Sequence, residues 1–232
     1  MSGLLLVCFL LLSRQAAQVS GTMKEQENRK EIIAVDPGHG GADPGMVGLN
    51  GLEEKEINLK IACKLERVLT DKGYQVVMTR KKDQGLYDAS APNKKSQDMQ
   101  RRIAFLENAS PVLTVSIHQN SYSDPDVRGP QVFYYESSQE GKRLAQEVQE
   151  SMNRKLNPQK PRTIKGNTSY YLLKRSKGTL IIAECGFLTN PEEAALLQKE
   201  EYQQKVAQAV ADGKCLYGCF DRRRAGNPVD GI

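Results

Sequence analysis

Three short runs in this chain, "IIAVD" from Ile32, "VLTVSI" from Val112 and "LIIAE" from Leu180, are almost continuously apolar. A strand with one wet face alternates polar and apolar residues, so runs that never alternate must be covered on both sides. Between them lie stretches with helical periodicity, and this alternation predicts an α/β architecture with a mainly parallel sheet. In chain order the pattern reads as a strand at Ile32–Asp36, a helix at Glu54–Lys72 and a strand at Tyr74–Thr79. A polar insertion, Lys81–Gln100, carries turn residues and no period. A helix at Met99–Asn108 follows, then strands at Pro111–His118 and Pro130–Tyr135, a helix at Gln139–Leu156 and a short strand in "SYYLL". A strand at Thr179–Glu184 precedes a last helix whose apolar residues are Tyr202, Val206, Ala209, Val210 and Leu216.

Each apolar run ends beside a residue able to do chemistry: His39 past the first, His118 at the second, Glu184 at the third. Parallel strands would gather all three at one edge, and ligand sites of open α/β sheets lie at the carboxyl ends of the strands. The chain has only two histidines, and both fall there. Two imidazoles suggest a metal, and a catalytic zinc wants a third protein ligand plus an open position for water. The helix opening "GLEEKEINLKIACKLERVL" offers Glu53, Glu54 and Glu56. At about 100° per residue, Glu54 lies within roughly 10° of the apolar face formed by Ile57, Ile61, Leu65, Val68 and Leu69. Glu53 is off by roughly 90° and Glu56 points nearly the opposite way. Glu54 is therefore the expected third ligand.

Blander readings exist for each residue. A histidine in a glycine-rich turn can be structural, Glu54 can simply favour the helix N-terminus, and Glu184 can accept backbone hydrogen bonds. Convergence of all four on one edge favours the metal. The turn "DPGHGGADPG" lacks both the Gly-x-Gly-x-x-Gly and the Lys-Ser/Thr of phosphate loops. Its Gly38, Gly40 and Gly41 let the backbone turn sharply so that His39 can face the ion. Asp36 is a candidate acceptor for an imidazole N–H, a contact that orients metal-binding rings. The insertion Lys81–Gln100 and the loop "NSYSDPDVRG" leave near the same edge and are the segments expected to touch substrate.

Length and composition narrow the rest. A chain of 232 residues favours one medium domain. The net charge of +5 resides partly in "DRRRAGN", without interleaved aromatics, so nucleic acid is not an expected partner. Five cysteines make no disulfide framework. They read as small buried hydrophobes; Cys185, beside Glu184, has no free base to activate it. The apolar run Leu4–Leu12 is far short of the roughly 20 residues that span a bilayer. With Ala16, Ala17, Ser20 and Gly21 behind it, it reads as a signal peptide or N-terminal anchor over residues 1–21, although no Lys or Arg precedes it. Export across the cytoplasmic membrane is the expectation, with a linker at 22–30, a catalytic domain at 31–220 and a basic flexible tail at 221–232.

The motifs "AVDPGHGGADPG", "GLEEKEINL", "SIHQNS" and "ECGFLTNPEE", in that order, resemble the zinc-dependent N-acetylmuramoyl-L-alanine amidases of type 3, which are cell-wall hydrolases. The likeness covers nearly all of Ile32–Phe220. "GLYDASAPNKKSQDMQRRI" and "SIHQNSYSDPDVRGPQVFYYESSQEGKRLA", without wall-binding repeats, look like the germination-specific branch found in endospore formers. The resemblance implies a single three-layer α/β domain whose central, mostly parallel sheet has about six strands flanked by helices. It implies one Zn2+ on His39, Glu54 and His118, with Glu184 as the catalytic carboxylate. The implied reaction is hydrolysis of the amide between N-acetylmuramic acid and L-alanine in peptidoglycan, with Glu184 taking a proton from water and passing it to the departing amine. The implied setting is spore cortex maturation, where stem removal precedes muramic lactam formation, and germination, with an accessory protein as a partner. Arg102 matches a recurrent arginine of the family, read as structural. The chain departs from the family at "KGT", Lys177–Thr179, where proline is common. Two rivals stand beside this reading: a zinc peptidase acting on wall stem peptides, and a non-catalytic wall-binding protein.

Overall fold

The computed structural model describes residues 32–226, and their side chains as far as residue 213. The three apolar runs form adjacent parallel strands: β1 (Ile32–Pro37), β3 (Leu113–Asn120) and β6 (Leu180–Phe187). Strand β2 (Gln75–Met78) pairs in parallel with β1 on one side. On the other side β4 (Gln131–Tyr135) runs antiparallel to β6 and parallel to β5 (Lys165–Asn167). The sheet order is β2-β1-β3-β6-β4-β5. The helices are α1 (Glu54–Asp71), α2 (Lys94–Ala109), α3 (Gln139–Leu156), α4 (Tyr171–Arg175), α5 (Pro191–Leu197) and α6 (Glu200–Gly226).

The two-residue period of strands sorts the side chains into layers. Ile33, Val35, Val115, Ile117, Ile181 and Ala183 face a core shared with α1, α3 and α6. Ala34, Leu180 and Ile182 face the other side, against Leu106 of α2 and Leu172 and Leu173 of α4. Both faces are thus covered, as the unbroken apolar runs require.

The same parity positions the site. Asp36, Ser116, His118 and Glu184 share their phase with Ala34 and Ile182, so they emerge on the α2/α4 face at the carboxyl edge. Asp36 is the register partner of Ser116, and His118 that of Glu184. Glu54 arrives differently. Helix α1 packs on the opposite face, and its first residue reaches the site around the end of the sheet.

Four local expectations change. "SYYLL" forms no strand; Tyr170 caps α4, because the Asn167 side chain accepts from the amides of Ser169 and Tyr170 and turns the chain there. A helical turn then buries the adjacent Leu172 and Leu173 together, which a strand would send to opposite faces. Helix α2 starts at Lys94 rather than Met99, capped by Asn93, whose side chain accepts from Ser96 N; its first turn is wholly polar and shows no period. The edge strand β5 and the short α5 are additional elements, although Asn190 before Pro191 is a readable helix start. The last helix runs to Gly226, so residues 221–226 continue it instead of forming a separate tail. At the "KGT" departure the chain needs no proline, since Thr114 N donates to Thr179 O and fixes the start of β6. The signal or anchor run, the linker and the end of the expected tail lie outside the described residues. Among the described residues, no helix is long and apolar enough to cross a membrane.

Candidate metal centre and active site

Two arginines bind the chain as it leaves β1. Arg102 of α2 donates to Pro37 O at 2.9 Å and His39 O at 2.6 Å. Arg80 donates to Pro37 O at 3.0 Å and Gly38 O at 2.9 Å. Held this way, His39 adopts a left-handed conformation with φ 62°, uncommon for a residue with a side chain. Glycine is required at two positions of this turn that press against the other donors. A Cβ at Gly38 would lie 2.2 Å from the His118 ring, and one at Gly45 would lie 2.6 Å from Glu54 Oε2.

His39, Glu54 and His118 each bring one ligand-type atom within 4.8 Å of the others. The two imidazole rings meet edge to face, 4.9 Å between centroids. Glu54 is 3% exposed, whereas Glu53 pairs with Lys55 at 3.2 Å and Glu56 is exposed. Every oxygen of Glu54 is positioned. Oε1 accepts from Gln119 N at 3.0 Å and Asn58 Nδ2 at 3.1 Å and lies 3.0 Å from His118 Nδ1. Oε2 accepts from Met46 N at 2.8 Å and lies 3.2 Å from His39 Nε2. Two imidazoles and a carboxylate, with His39 held by Asp43 and Glu54 by Asn58, Met46 N and Gln119 N, are a donor set suited to a divalent cation.

Asp36 does not orient an imidazole. Its carboxylate accepts from Thr79 Oγ1 at 2.6 Å, Ser116 Oγ at 2.6 Å and Arg102 at 2.5 Å, and makes no hydrogen bond to either ring. The acceptor behind His39 is Asp43, 3.0 Å from Nδ1. Asp43 and Asn58 were not singled out in the sequence. Asn58 had a signal, since it stands one helical turn after Glu54 on the same inward face; Asp43 had none beyond lying in the turn.

Glu184 is 7% exposed, and its Oε2 has no hydrogen-bond partner among the described residues. It borders a cavity of about 560 Å3 that also holds His39, Glu54 and His118. Lys95, Asp98 and Met99 of the former insertion, and Asn120 and Ser121 after β3, line the same space. Cys185, one residue on, faces the opposite core, and burial pushes its thiol far up.

Charge in this cavity is strongly coupled. Burial works against the Glu54 carboxylate, but hydrogen bonds from His118 and His39 outweigh it and hold it well below the usual range. Burial likewise opposes protonation of His39, yet the hydrogen bonds to Asp43 and Glu54 push it up to about 9. Glu184 is pushed up to about 7, chiefly by burial, with His118 pulling it back and Glu54 adding to the rise. Both His39 and Glu184 bind protons more tightly folded than unfolded. The stability each contributes is complete below its ordinary pKa and is lost as pH rises through 7 and 9. Metal-free protein should therefore lose about 3 kcal/mol or more of unfolding free energy between roughly pH 6 and pH 9. Urea midpoints across that range check this, and a flat or rising midpoint contradicts it.

A buried carboxylate beside a His–Glu–His cluster, at the carboxyl edge of a mostly parallel three-layer sheet, defines the class as a hydrolase built on a three-layer α/β fold. The chain belongs to the N-acetylmuramoyl-L-alanine amidase family, whose model matches residues 33–214. It is 34% identical over 192 residues to the germination-specific N-acetylmuramoyl-L-alanine amidase of Bacillus subtilis, covering 81% of this chain and 79% of that one. Among solved structures it resembles the CwlD amidase of Clostridioides difficile in complex with the GerS lipoprotein, with a TM-score of 0.80 and 34% identity over 83% of this chain and 100% of that one. It also resembles an N-acetylmuramoyl-L-alanine amidase of Clostridium difficile, with a TM-score of 0.74 and 31% identity over 83% and 98% of the two chains. As a family member this chain is a hydrolase of the amide joining N-acetylmuramic acid to L-alanine in peptidoglycan.

Proposed function

We propose that this amidase is a zinc enzyme in which His39, Glu54 and His118 hold one Zn2+ and Glu184 carries the proton. The observation that supports it most directly is the meeting of those three donors within 4.8 Å, next to a buried carboxylate with an unpartnered oxygen. When bound, zinc supplies Lewis acidity toward a carbonyl oxygen and makes water a better nucleophile near neutral pH. The chain's own residues do the rest. Asp43 holds the His39 ring through Nδ1, and Asn58 holds Glu54. Glu184, which burial pushes up to about 7 in the metal-free protein, takes a proton from the attacking water and returns it to the amine that leaves as L-alanine departs.

The relative's germination-specific name, together with the match along the domain, supports a role in the spore cortex. Export is part of the same reading, supported by the apolar run Leu4–Leu12 and by a substrate that lies outside the cytoplasmic membrane. An accessory protein is also part of it, supported by the GerS complex described for the C. difficile enzyme.

Product analysis with elemental analysis tests the proposal. Zinc-loaded protein should release intact stem peptides and leave muramyl lactate free. Shortened stems would favour the peptidase, and no product at all the binding protein. His39→Ala should lose the metal as well as turnover; full zinc occupancy in that variant would remove His39 from the ligand set.

A further inference from the structure

We propose that Lys95, with Lys94 beside it, reads a free carboxylate on the stem peptide of the substrate and so sets the direction in which the substrate lies. The inference rests on the amidase reading above. Two extensions lead away from the cavity that holds the donor cluster. One, of about 230 Å3, is lined by Ala42, Asp43, Tyr87, Lys94, Lys95 and Asp98. The other, of about 720 Å3, passes over Val47, Leu49, Tyr122 and Pro125 and has no charged side chain in its lining. Each adjoins the main cavity: Asp43, Lys95 and Asp98 border both it and the first extension, Met46 and Ser121 both it and the second.

The basic extension has positive charge to spare. Asp98 is paired with Arg102 Nε at 2.7 Å; Asp43 lies 3.0 Å from His39, a neutral ring once it holds a metal, so Asp43 offsets at most one of the two lysines. Lys95 Nζ stands 3.6 Å from Asp43, on a side chain 73% exposed; such a loose, wet pair contributes little. Lys94 Nζ lies 5.6 Å from the centre of the Tyr87 ring, a contact that leaves its charge unneutralised. The fold does not ask for these cations. They occupy the first turn of α2, where the helix dipole disfavours positive charge, and that turn holds no acidic residue. A local preference broken at the mouth of a site points to function.

The substrate is asymmetric in the matching way. On the muramoyl side of the scissile amide lies a sugar with hydroxyl and acetamido groups and no free charge. On the peptide side, beyond L-alanine, the stem carries carboxylates, the first being the α-carboxylate of a γ-linked glutamate, which some walls amidate. An ammonium pair suits that carboxylate. The uncharged extension, where Val47, Leu49 and Tyr122 are exposed, suits the C–H faces of the sugar.

The test compares kcat/KM of zinc-loaded enzyme on two soluble muramoyl peptides that differ only in that carboxylate, free or amidated. Wild type should prefer the free acid by about fivefold to tenfold, mainly through KM, as expected for one charge-assisted contact at a partly wet site. Added salt should shrink the preference. Lys95→Ala should bring the ratio toward one, Lys95→Arg should keep it, and Lys95→Glu should reverse it. A wild type that does not distinguish the two, or a Lys95→Ala variant that keeps the full preference, overturns the proposal. So does an equal loss on both substrates, which would make Lys95 a support for Asp43 instead. Failure of wild type to cleave either substrate is a different result, and it would overturn the amidase reading itself.

Discussion

Glu184→Gln should lower kcat by about a thousandfold or more while one zinc per chain remains bound. The substitution keeps the shape of the side chain and removes its ability to hold a proton. Glu184 stands beside His118 in the sheet register but is not one of the three clustered donors, so the metal has no reason to leave. Burial favours the proton-carrying role: it lifts the carboxyl of the metal-free protein to about 7, and a group that titrates nearer neutrality than a free carboxylate can both take and return a proton. Burial also makes it a liability. In metal-free protein near pH 8 the variant should unfold at higher urea than wild type, because a buried charge is gone, and near pH 5 the difference should vanish. Turnover with elemental analysis reads the first effect and denaturation at the two pH values the second. Zinc lost along with activity would make Glu184 a ligand or a brace, and unchanged turnover would remove it from the reaction.

Arg102→Met should destabilise the metal-free protein by about 3–5 kcal/mol at neutral pH, the range for breaking one partner out of a buried ion pair. Arg102 is 2% exposed and bonds Asp36, Asp98, Pro37 O and His39 O at once. Without it, Asp36 is left charged and fully enclosed. Burial opposes that charge, but Arg102 and the hydroxyls of Ser116 and Thr79 outweigh burial and hold the wild-type carboxyl down at about 2. The stability that Asp36 contributes is therefore present above its ordinary pKa and disappears as pH falls toward 2. The penalty of the substitution should shrink in acid, and combining it with Asp36→Asn should recover part of the loss. An unfolding midpoint that does not move would show that the pair is dispensable. Because the His39 carbonyl is also released, zinc affinity should fall in the same variant even where it remains folded.

Most of the fold was legible in local pattern. Strands β1, β3 and β6 could be read because a two-sided strand writes its burial into consecutive residues. The inward turn of Glu54 could be read because helical phase is carried by the four or five apolar residues that follow it. Elements without such a record were harder. Strand β5 has three residues at the sheet edge and little apolar content, and α4 is too short to show a period, so the adjacent Leu172 and Leu173 looked like strand.

By itself, then, the sequence determined the layer architecture, the sheet edge that bears the chemistry, and the four residues that meet there. Those follow from periodicities of two and 3.6, which neighbouring residues reveal. Only the tertiary structure decided what stands behind them. Asp36 was the natural acceptor for an imidazole on sequence grounds, yet Thr79, Ser116 and Arg102, from three separate stretches of chain, take its oxygens. Asp43 takes the ring instead, because the left-handed turn at His39 carries the imidazole back over its own loop. Hydrogen-bond partners distant in the chain depend on how helices and strands dock, and that docking leaves no periodic trace.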